Sequence, residues 1–135
     1  MKKFLLIAMV FALGSFGYAK NLQFSGYASY KRYGGQMRLK ADTVRNNSYR
    51  RSGTLKMTLW ATRYKYRGGT INGYVVAKTR LGTLRGNRYF RNISRKASFR
   101  APPRGRYYMT MTLSQYKNGR YKIVDYINFS RRERF

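Results

Sequence analysis

The residue types that most often carry acid-base, nucleophilic or metal chemistry are scarce in this chain. It contains no cysteine and no histidine, and its only acids are Asp42, Asp125 and Glu133. General acid-base catalysis usually needs an imidazole or placed carboxylates, and a metal site needs clustered ligands. Isolated acids favour structural roles, although a catalytic pair of Asp42 and Asp125 is conceivable. We therefore predict a protein that is not an enzyme and that uses no metal or cofactor.

Arginine, lysine and tyrosine are the residues whose abundance indicates a chemistry. The chain has 30 basic residues against 3 acidic ones, and 14 tyrosines. A guanidinium forks onto phosphate and carboxylate groups and stacks on aromatic rings, so the excess of arginine over lysine favours binding to such groups. A charge this large also attracts polyanions through its field and through counterion release. The alternative, that the charge only keeps the protein soluble, is weaker because acidic residues serve solubility better.

The first 19 residues predict an export signal. A basic start at Lys2 and Lys3 precedes an apolar run over residues 4–13, and small residues that end at Ala19 suit a cleavage site. The apolar run is shorter than the roughly 20 residues of a membrane-spanning helix. Cleavage after Ala19 would leave 116 residues with 28 basic and 3 acidic side chains, a net charge of +25. We expect a secreted or periplasmic protein.

Alternating apolar and polar residues predict strands along the rest of the chain, and no helical period occurs. The predicted strands cover residues 22–30, 37–42, 55–61, 70–78, 89–99, 107–114 and 121–129, with 81–84 extending the fourth or forming a short separate strand. In the fifth strand, Arg91 and Arg95 share the parity of Ile93 and Ala97, which predicts a bulge.

The most informative stretch lies in the last third of the chain. Pro102 and Pro103 cannot donate to a sheet ladder, so they predict a rigid corner before the strand that opens with Tyr107. The pair Asn118 and Gly119 is the residue combination favoured in tight hairpins. A proline corner, a strand opening on tyrosine and a closing hairpin are typical of the end of an immunoglobulin-like sandwich.

Five stretches carry a resemblance to a known family. They are SGTLKMTLWAT at 52–62, GGTINGYVVA at 68–77, LGTL at 81–84, APPRGRYYMTMTL at 101–113 and DYINF at 125–129. Together they resemble immunoglobulin-like modules of secreted and cell-surface bacterial proteins. The resemblance implies one all-β, immunoglobulin-like β-sandwich of about seven antiparallel strands over residues 20–130. The signal peptide, residues 1–19, would precede it, and a basic C-terminal tail, residues 131–135, would follow. Such modules share no single activity.

Alternate loops gather at opposite ends of such a sandwich. Both sets of loops contain several arginines and lysines, so both ends would be basic. The candidate polyanion-binding residues are Arg45, Arg50, Arg51, Arg63, Lys65, Arg67, Arg85, Arg88, Arg104, Arg106 and Arg120. Cations interleaved with aromatic rings can hold a charged backbone while the rings stack on bases or sugars. The candidate stacking residues are Tyr49, Trp60, Tyr64 and Tyr66. The alternative is that these rings simply fit strand edges and loops.

Trp60 is the only tryptophan, and its placement stays open. If Leu55, Met57 and Leu59 face the core, parity directs Trp60 outward. A tryptophan on the third strand of an immunoglobulin domain is instead usually buried, and a bulge of one residue would reverse the parity.

The sequence thus predicts a strongly basic, secreted or periplasmic β-sandwich that binds anionic polymers largely without sequence specificity. The expected partners are extracellular nucleic acid, lipopolysaccharide or an acidic polysaccharide, with an anionic membrane surface as a further one. Two alternatives belong to other classes. One is a structural or adhesion subunit that joins a surface assembly through edge strands. The other is a cationic protein that disrupts anionic envelopes.

Overall fold

The computed structural model describes residues 10–11 and 20–135. These residues form strands and no helix, and none of them belongs to a helix long and apolar enough to cross a membrane. The strands are β1 (Val10–Phe11), β2 (Leu22–Tyr33), β3 (Gln36–Asn46), β4 (Leu55–Thr62), β5 (Tyr74–Gly82), β6 (Tyr89–Ser98), β7 (Arg106–Lys117), β8 (Arg120–Asn128) and β9 (Glu133–Arg134). The predicted signal peptide lies outside the described residues, apart from the backbone of β1.

The strands pair into two antiparallel sheets. Sheet A has the order β1-β2-β3-β6, and sheet B has the order β5-β4-β7-β8, with β9 pairing with the start of β7. Both sheets contribute to one hydrophobic core, in which Met37 and Leu39 of sheet A and Leu59 and Met111 of sheet B are fully buried. The prediction of an all-β chain is confirmed, and the two sheets are consistent with a β-sandwich.

The predicted hairpin joins β7 to β8. Strand β7 ends at Lys117 and β8 begins at Arg120, so Asn118 and Gly119 alone form the turn. Their φ angles are 54° and 84°, and both residue types tolerate this left-handed region. The mirror-image turn that results matches the twist of the two strands. The hairpin prediction is confirmed.

A buried tyrosine closes the corner before β7. Tyr107 is 0% exposed, and its hydroxyl donates to the carbonyl oxygen of Pro103 at 2.7 Å. The bond ties the first turn of the corner to the strand that follows it. The bond lies where the chain passes from sheet A to sheet B, and loss of the hydroxyl would leave the Pro103 carbonyl without this donor.

Strand β6 does not contain the predicted bulge. In β3 the core-facing residues are odd-numbered up to Ala41 and even-numbered from Val44 onward. In β6 the core-facing residue is even-numbered at Phe90, and the core-facing residues are odd-numbered from Ile93 onward. Ala41 pairs with Ile93 and Val44 pairs with Phe90, so both strands change faces at the same row and their register is unbroken. Asn92 lies in that row with a φ of 54°. A matching irregularity in the neighbouring strand therefore replaces the bulge.

The register shift of sheet A lies in β2 instead, between Ser25 and Ala28. Gly26 has a φ of 86°, and a Cβ at that position would lie 2.6 Å from Oδ2 of Asp42. The same oxygen accepts a hydrogen bond from the Tyr27 amide at 2.8 Å. Asp42 therefore closes a bulge that only glycine fits, which is a structural role.

The last five residues, 131–135, which the sequence predicts as a basic tail after the sandwich, pair with the fold. Strand β9 pairs with the start of β7, and the Phe135 amide and carbonyl bond to the carbonyl and amide of Gly105 at 2.8 Å and 3.1 Å. The Phe135 ring stacks on Phe99 with 6.1 Å between centroids. Apolar packing and two backbone bonds outweigh the repulsion among the three arginines of this segment.

Glu133 is a buried acid inside that segment. Its side chain is 5% exposed, and its Oε2 accepts a hydrogen bond from the Tyr30 hydroxyl at 2.9 Å. Burial raises the pKa of Glu133, although the bond from Tyr30 and the charge of Arg131 act in the opposite direction. Burial and the nearby Glu133 also raise the pKa of Tyr30, so the tyrosine stays the donor.

Removal of one hydroxyl tests the corner. Tyr107→Phe keeps the ring but leaves the Pro103 carbonyl without its donor, so we expect the free energy of unfolding to fall by about 1–3 kcal/mol in urea denaturation. Tyr64→Phe is the control, because Tyr64 is 84% exposed, and it should change stability by less than about 0.5 kcal/mol. Equal stability of the two variants would contradict the role of Tyr107.

A pH series tests the buried carboxyl. A group with a higher pKa in the folded state binds more protons when folded, so its contribution to stability falls as pH rises above the ordinary glutamate range. Glu133→Gln keeps an acceptor for Tyr30 without the charge, so at pH 7 it should be at least as stable as the parent. The advantage of the variant should shrink toward about pH 4. A stability difference between Glu133→Gln and the parent that stays constant with pH would contradict a raised pKa of Glu133.

Candidate polyanion-binding surface

The acids of the chain are engaged in hydrogen bonds within the fold. Besides Asp42 and Glu133, described above, Asp125 of β8 accepts hydrogen bonds from Lys20 Nζ at 2.7 Å and from the Phe24 amide at 2.8 Å. Asp125 thereby links the β8 edge of sheet B to the β2 edge of sheet A. Among the described residues, Lys20 and Asp125 form the one salt bridge. The other basic side chains therefore meet solvent without a carboxylate partner.

Three loops meet at one end of the sheets, which we call the Asn46 end: residues 47–54, 83–88 and 118–119. Asn46 is 2% exposed. Its backbone amide donates to Arg88 O, and its side-chain amide donates to Arg50 O and Leu84 O at 2.7 Å and 2.9 Å. Its Oδ1 accepts from the amide and hydroxyl of Ser48. One buried amide thus joins the first two loops.

The Asn46 end presents several of the predicted polyanion-binding cations. A cavity of about 780 Å³ is lined there by Tyr49, Arg50, Arg51 and Lys117. Tyr49 is 80% exposed. The remaining predicted cations of this end, Arg85, Arg88 and Arg120, are also exposed. Arg45 is exposed on β3, where its guanidinium lies 5.1 Å from the ring centre of Tyr89.

The opposite end, which we call the Tyr64 end, consists of residues 34–35, 63–73 and 99–105. Loop 63–73 encloses a cavity of about 620 Å³ whose lining includes Arg63, Tyr64, Lys65 and Arg67. All four side chains are exposed, and Tyr64 is 84% exposed. A ring beside three cations is the combination that can stack on a base or sugar while charge holds the backbone.

Tyr66 differs from the prediction, because its ring is not available for stacking on a ligand. It is 6% exposed and packs edge-on against Tyr126, with 4.6 Å between centroids. Its hydroxyl donates to Gly69 O at 2.6 Å, and its carbonyl accepts from Asn128 Nδ2 at 2.8 Å. Burial raises the pKa of this tyrosine. Tyr66 therefore anchors the loop that carries Tyr64.

The corner before β7 adds the last predicted cations, Arg104 and Arg106, which are both exposed. Arg63 reaches the same region, with its guanidinium 5.4 Å from the ring centre of Tyr107. The Tyr64 end thus combines cations from loop 63–73 with cations from the corner. The two ends are separate surfaces, each supplied by different loops.

Trp60 points away from the core, which is one of the two placements that the sequence left open, because Leu55, Met57 and Leu59 face the core. Its ring is half-buried on the outer face of sheet B, and its Nε1 donates to Thr112 Oγ1 at 3.0 Å. Neighbouring Thr110 on β7 is fully buried although it faces outward. The ring therefore covers a row of short threonine side chains and leaves only part of its surface for a ligand.

The outer face of sheet A carries a row of cations that the sequence did not predict. Lys31 pairs with Arg38, and Arg38 pairs with Lys96, across three strands about 4.8 Å apart. Arg38 donates to Ser94 Oγ at 2.8 Å. A hydrogen bond from Lys31 lowers the pKa of Tyr33 at the margin of the row. The alternation in the sequence shows the outward basic residues of β3. The row itself can be recognised only when the register of all three strands is known.

Comparisons with protein-family models, with curated proteins and with solved structures found no match for this chain. The candidate surface is therefore defined by the residues of this chain alone: unpaired cations at two loop ends, exposed rings of Tyr49 and Tyr64, and the row on sheet A.

Loss of one buried amide tests how the Asn46 end is built. Asn46→Ala removes the donors to Arg50 O and Leu84 O and the acceptor for Ser48, so we expect a loss of about 2–4 kcal/mol in urea denaturation. The matched control is Asn47→Ala, whose exposed side chain makes one bond, to Lys20 O at 3.0 Å. It should cost less than about 1 kcal/mol. If both variants lose the same stability, Asn46 does not organise the loops.

Proposed function

We propose that this protein is an exported, immunoglobulin-like β-sandwich that binds polyanions through its two loop ends, largely without sequence specificity. One observation carries the proposal. Of the 28 basic residues in 20–135, Lys20 alone forms a salt bridge. Such a surface binds anionic polymers because each contact releases condensed counterions. Nucleic acid, lipopolysaccharide and acidic polysaccharide all supply that charge.

Two features support the immunoglobulin-like part of the proposal. Strands β2, β3 and β6 pair in one sheet, and strands β4, β7 and β8 pair in the other. When β2 is counted as the first strand of the sandwich, these are its first, second and fifth strands and its third, sixth and seventh strands. The same strands pair in immunoglobulin domains. The bond from Tyr107 to Pro103 O corresponds to the tyrosine corner of such domains. One difference is that β5 pairs with β4, whereas the fourth strand of constant domains lies beside the fifth.

Binding rather than catalysis is favoured by how the acids are used. Asp125 already accepts hydrogen bonds from the Phe24 amide and from Lys20, its salt-bridge partner, and Asp42 closes a bulge in the other sheet. Both carboxylates are thus committed to the fold. The arginines, in contrast, lie on exposed loops, where a flexible polymer can reach them. Export remains a prediction from residues 1–19.

One edge of each sheet, β6 in sheet A and β5 in sheet B, gives little support to the alternative of a strand-paired assembly. Strand β6 carries Arg91, Arg95 and Lys96 along its exposed residues, and β5 carries Lys78 and Arg80. Charged side chains, lysine above all, are how proteins prevent edge-to-edge pairing. These two edges therefore oppose the addition of a strand from a second chain.

A salt series tests the proposal. Residues 20–135 are titrated with duplex DNA, single-stranded DNA, heparin and lipopolysaccharide between about 50 and 200 mM salt. If the protein contacts roughly 6–10 phosphates, its affinity for DNA should fall by about 10³- to 10⁵-fold over this range of salt concentration. Little binding at low salt would contradict the proposal, and release of dye from anionic vesicles would favour the envelope-active alternative.

Paired substitutions locate the surface. Arg50→Gln with Arg51→Gln changes the Asn46 end, and Arg63→Gln with Arg67→Gln changes the Tyr64 end. Each pair should reduce the slope of log affinity against log salt by about 1.8 for duplex DNA if both arginines contact phosphates. The two double variants have equal charge, so a larger effect of one pair identifies the end that matters more. Unchanged slopes in both would exclude the loop ends.

Stacking is tested at one ring. Tyr64→Ala should weaken binding to single-stranded DNA by about 1–3 kcal/mol, because base stacking on an aromatic side chain contributes that much. Tyr64→Phe keeps the ring and is the matched control, so it should bind like the parent. Equal affinities of the alanine and phenylalanine variants would mean that Tyr64 does not stack on the ligand.

A further inference from the structure

A second type of cationic site lies on the outer face of sheet B, two or three residues from the loops of the Asn46 end. Lys56 of β4, Lys78 and Arg80 of β5, and Tyr121 of β8 line a concavity of about 330 Å³. Thr79 completes the lining. The residues thus come from three strands of one sheet, and no acid is among them.

The strand register forces these cations together. Lys56 pairs directly with Arg80, and Lys78 pairs with Thr58, two residues further along β4. Like charges directly opposite each other destabilise a sheet. Lys56 is also partly buried, and this burial, followed by the charges of Lys78 and Arg80, lowers its pKa. The free protein therefore holds three cations in an arrangement that an anion would stabilise.

The neighbouring residues hold this arrangement in place. Lys56 Nζ lies 3.9 Å from the ring centre of Tyr121, and Tyr121 packs edge-on against Tyr116 with 5.1 Å between centroids. The carbonyl of Arg80 accepts a hydrogen bond from Arg95 Nη1 of β6 at 3.0 Å. The ring of Tyr121 positions the Lys56 ammonium group. The hydrogen bond from Arg95 of sheet A holds the edge strand β5 in place.

We propose that Lys56, Lys78 and Arg80 form a binding site for a small, soluble phosphate monoester. Two ammonium groups and a guanidinium complement the oxygens of a phosphate, and the guanidinium can bind two of them at once. A monoester carries nearly two negative charges above its second pKa of about 6, so it neutralises three cations better than a diester does. The site uses none of the candidate polyanion-binding arginines, and the proposal goes beyond the binding of polymers.

Two small probes of similar size test the site. Methyl phosphate and dimethyl phosphate are titrated at pH 8 and low chloride into residues 20–135, with binding followed by calorimetry and by the NMR signal of the lysine ammonium groups. We expect saturable binding of methyl phosphate, with weaker binding of the diester and a shift of the Lys56 signal. Equal binding of the two probes, or no saturation, would overturn the proposal.

Variants separate the site from the general charge of the protein. Lys56→Gln and, independently, Arg80→Gln should weaken methyl phosphate binding by about ten- to a hundredfold, because each removes a charged hydrogen-bond donor. Lys40→Gln removes the same charge from an exposed residue of β3 in the other sheet and should stay within about twofold of the parent. Equal losses in all three variants would mean nonspecific attraction and would overturn the site.

The remaining arms distinguish this proposal from others. DNA and heparin binding of Lys56→Gln should stay close to that of the parent, so failure of the phosphate site and failure of polymer binding are seen in different titrations. Phosphatidic acid in vesicles presents the same chemical group on a membrane. If such vesicles bind through Lys56 and methyl phosphate does not, the assignment to a soluble ligand is overturned.

Discussion

Repulsion among unpaired cations is the constraint on which the rest of this structure depends. With 28 basic and 3 acidic residues in 20–135, a compact state concentrates like charge and loses stability. The fold has no disulfide to oppose this, since the chain has no cysteine. Stability must therefore come from the shared core of the two sheets and from their backbone ladders.

The three carboxyl groups are placed where their hydrogen bonds hold the fold together. Asp125 joins the edges of both sheets through Lys20 and Phe24. Glu133 fixes the last strand through Tyr30, and Asp42 closes the bulge of β2. Each acid thus holds segments that are distant or irregular. Because they are used in this way, they neutralise little of the outer surface, and the loop ends and sheet faces keep their positive charge.

Local signals were sufficient to predict the strands, the hairpin and the corner. The alternation of residues in β4 and β7, the pair Asn118 and Gly119, and the two prolines before Tyr107 all act within a few residues, so the sequence displays them directly. The outward placement of Trp60 agrees with the same alternation, but the sequence alone left its burial open.

Features that depend on the pairing of distant strands were not predictable. The matching irregularities of β3 and β6 appear only when Ala41 is known to face Ile93. The docking of Phe135 on Gly105 depends on a contact between the last residue and the corner. The same holds for the site around Lys56, because its cations lie on separate strands and meet only through the register of β4 with β5. Tyr66 was misassigned because nothing in its loop sequence distinguishes a buried ring from an exposed one.

The dependence of stability on salt tests the central claim most directly. Residues 20–135 are unfolded with urea, which is uncharged, at NaCl concentrations from about 10 mM to 1 M, where the Debye length falls from about 30 Å to 3 Å. If unpaired cations oppose folding, the urea midpoint should rise steadily with salt, and heparin at low salt should raise it further because it binds the folded state. A midpoint that falls or stays constant with salt, and that heparin does not change, would contradict the account.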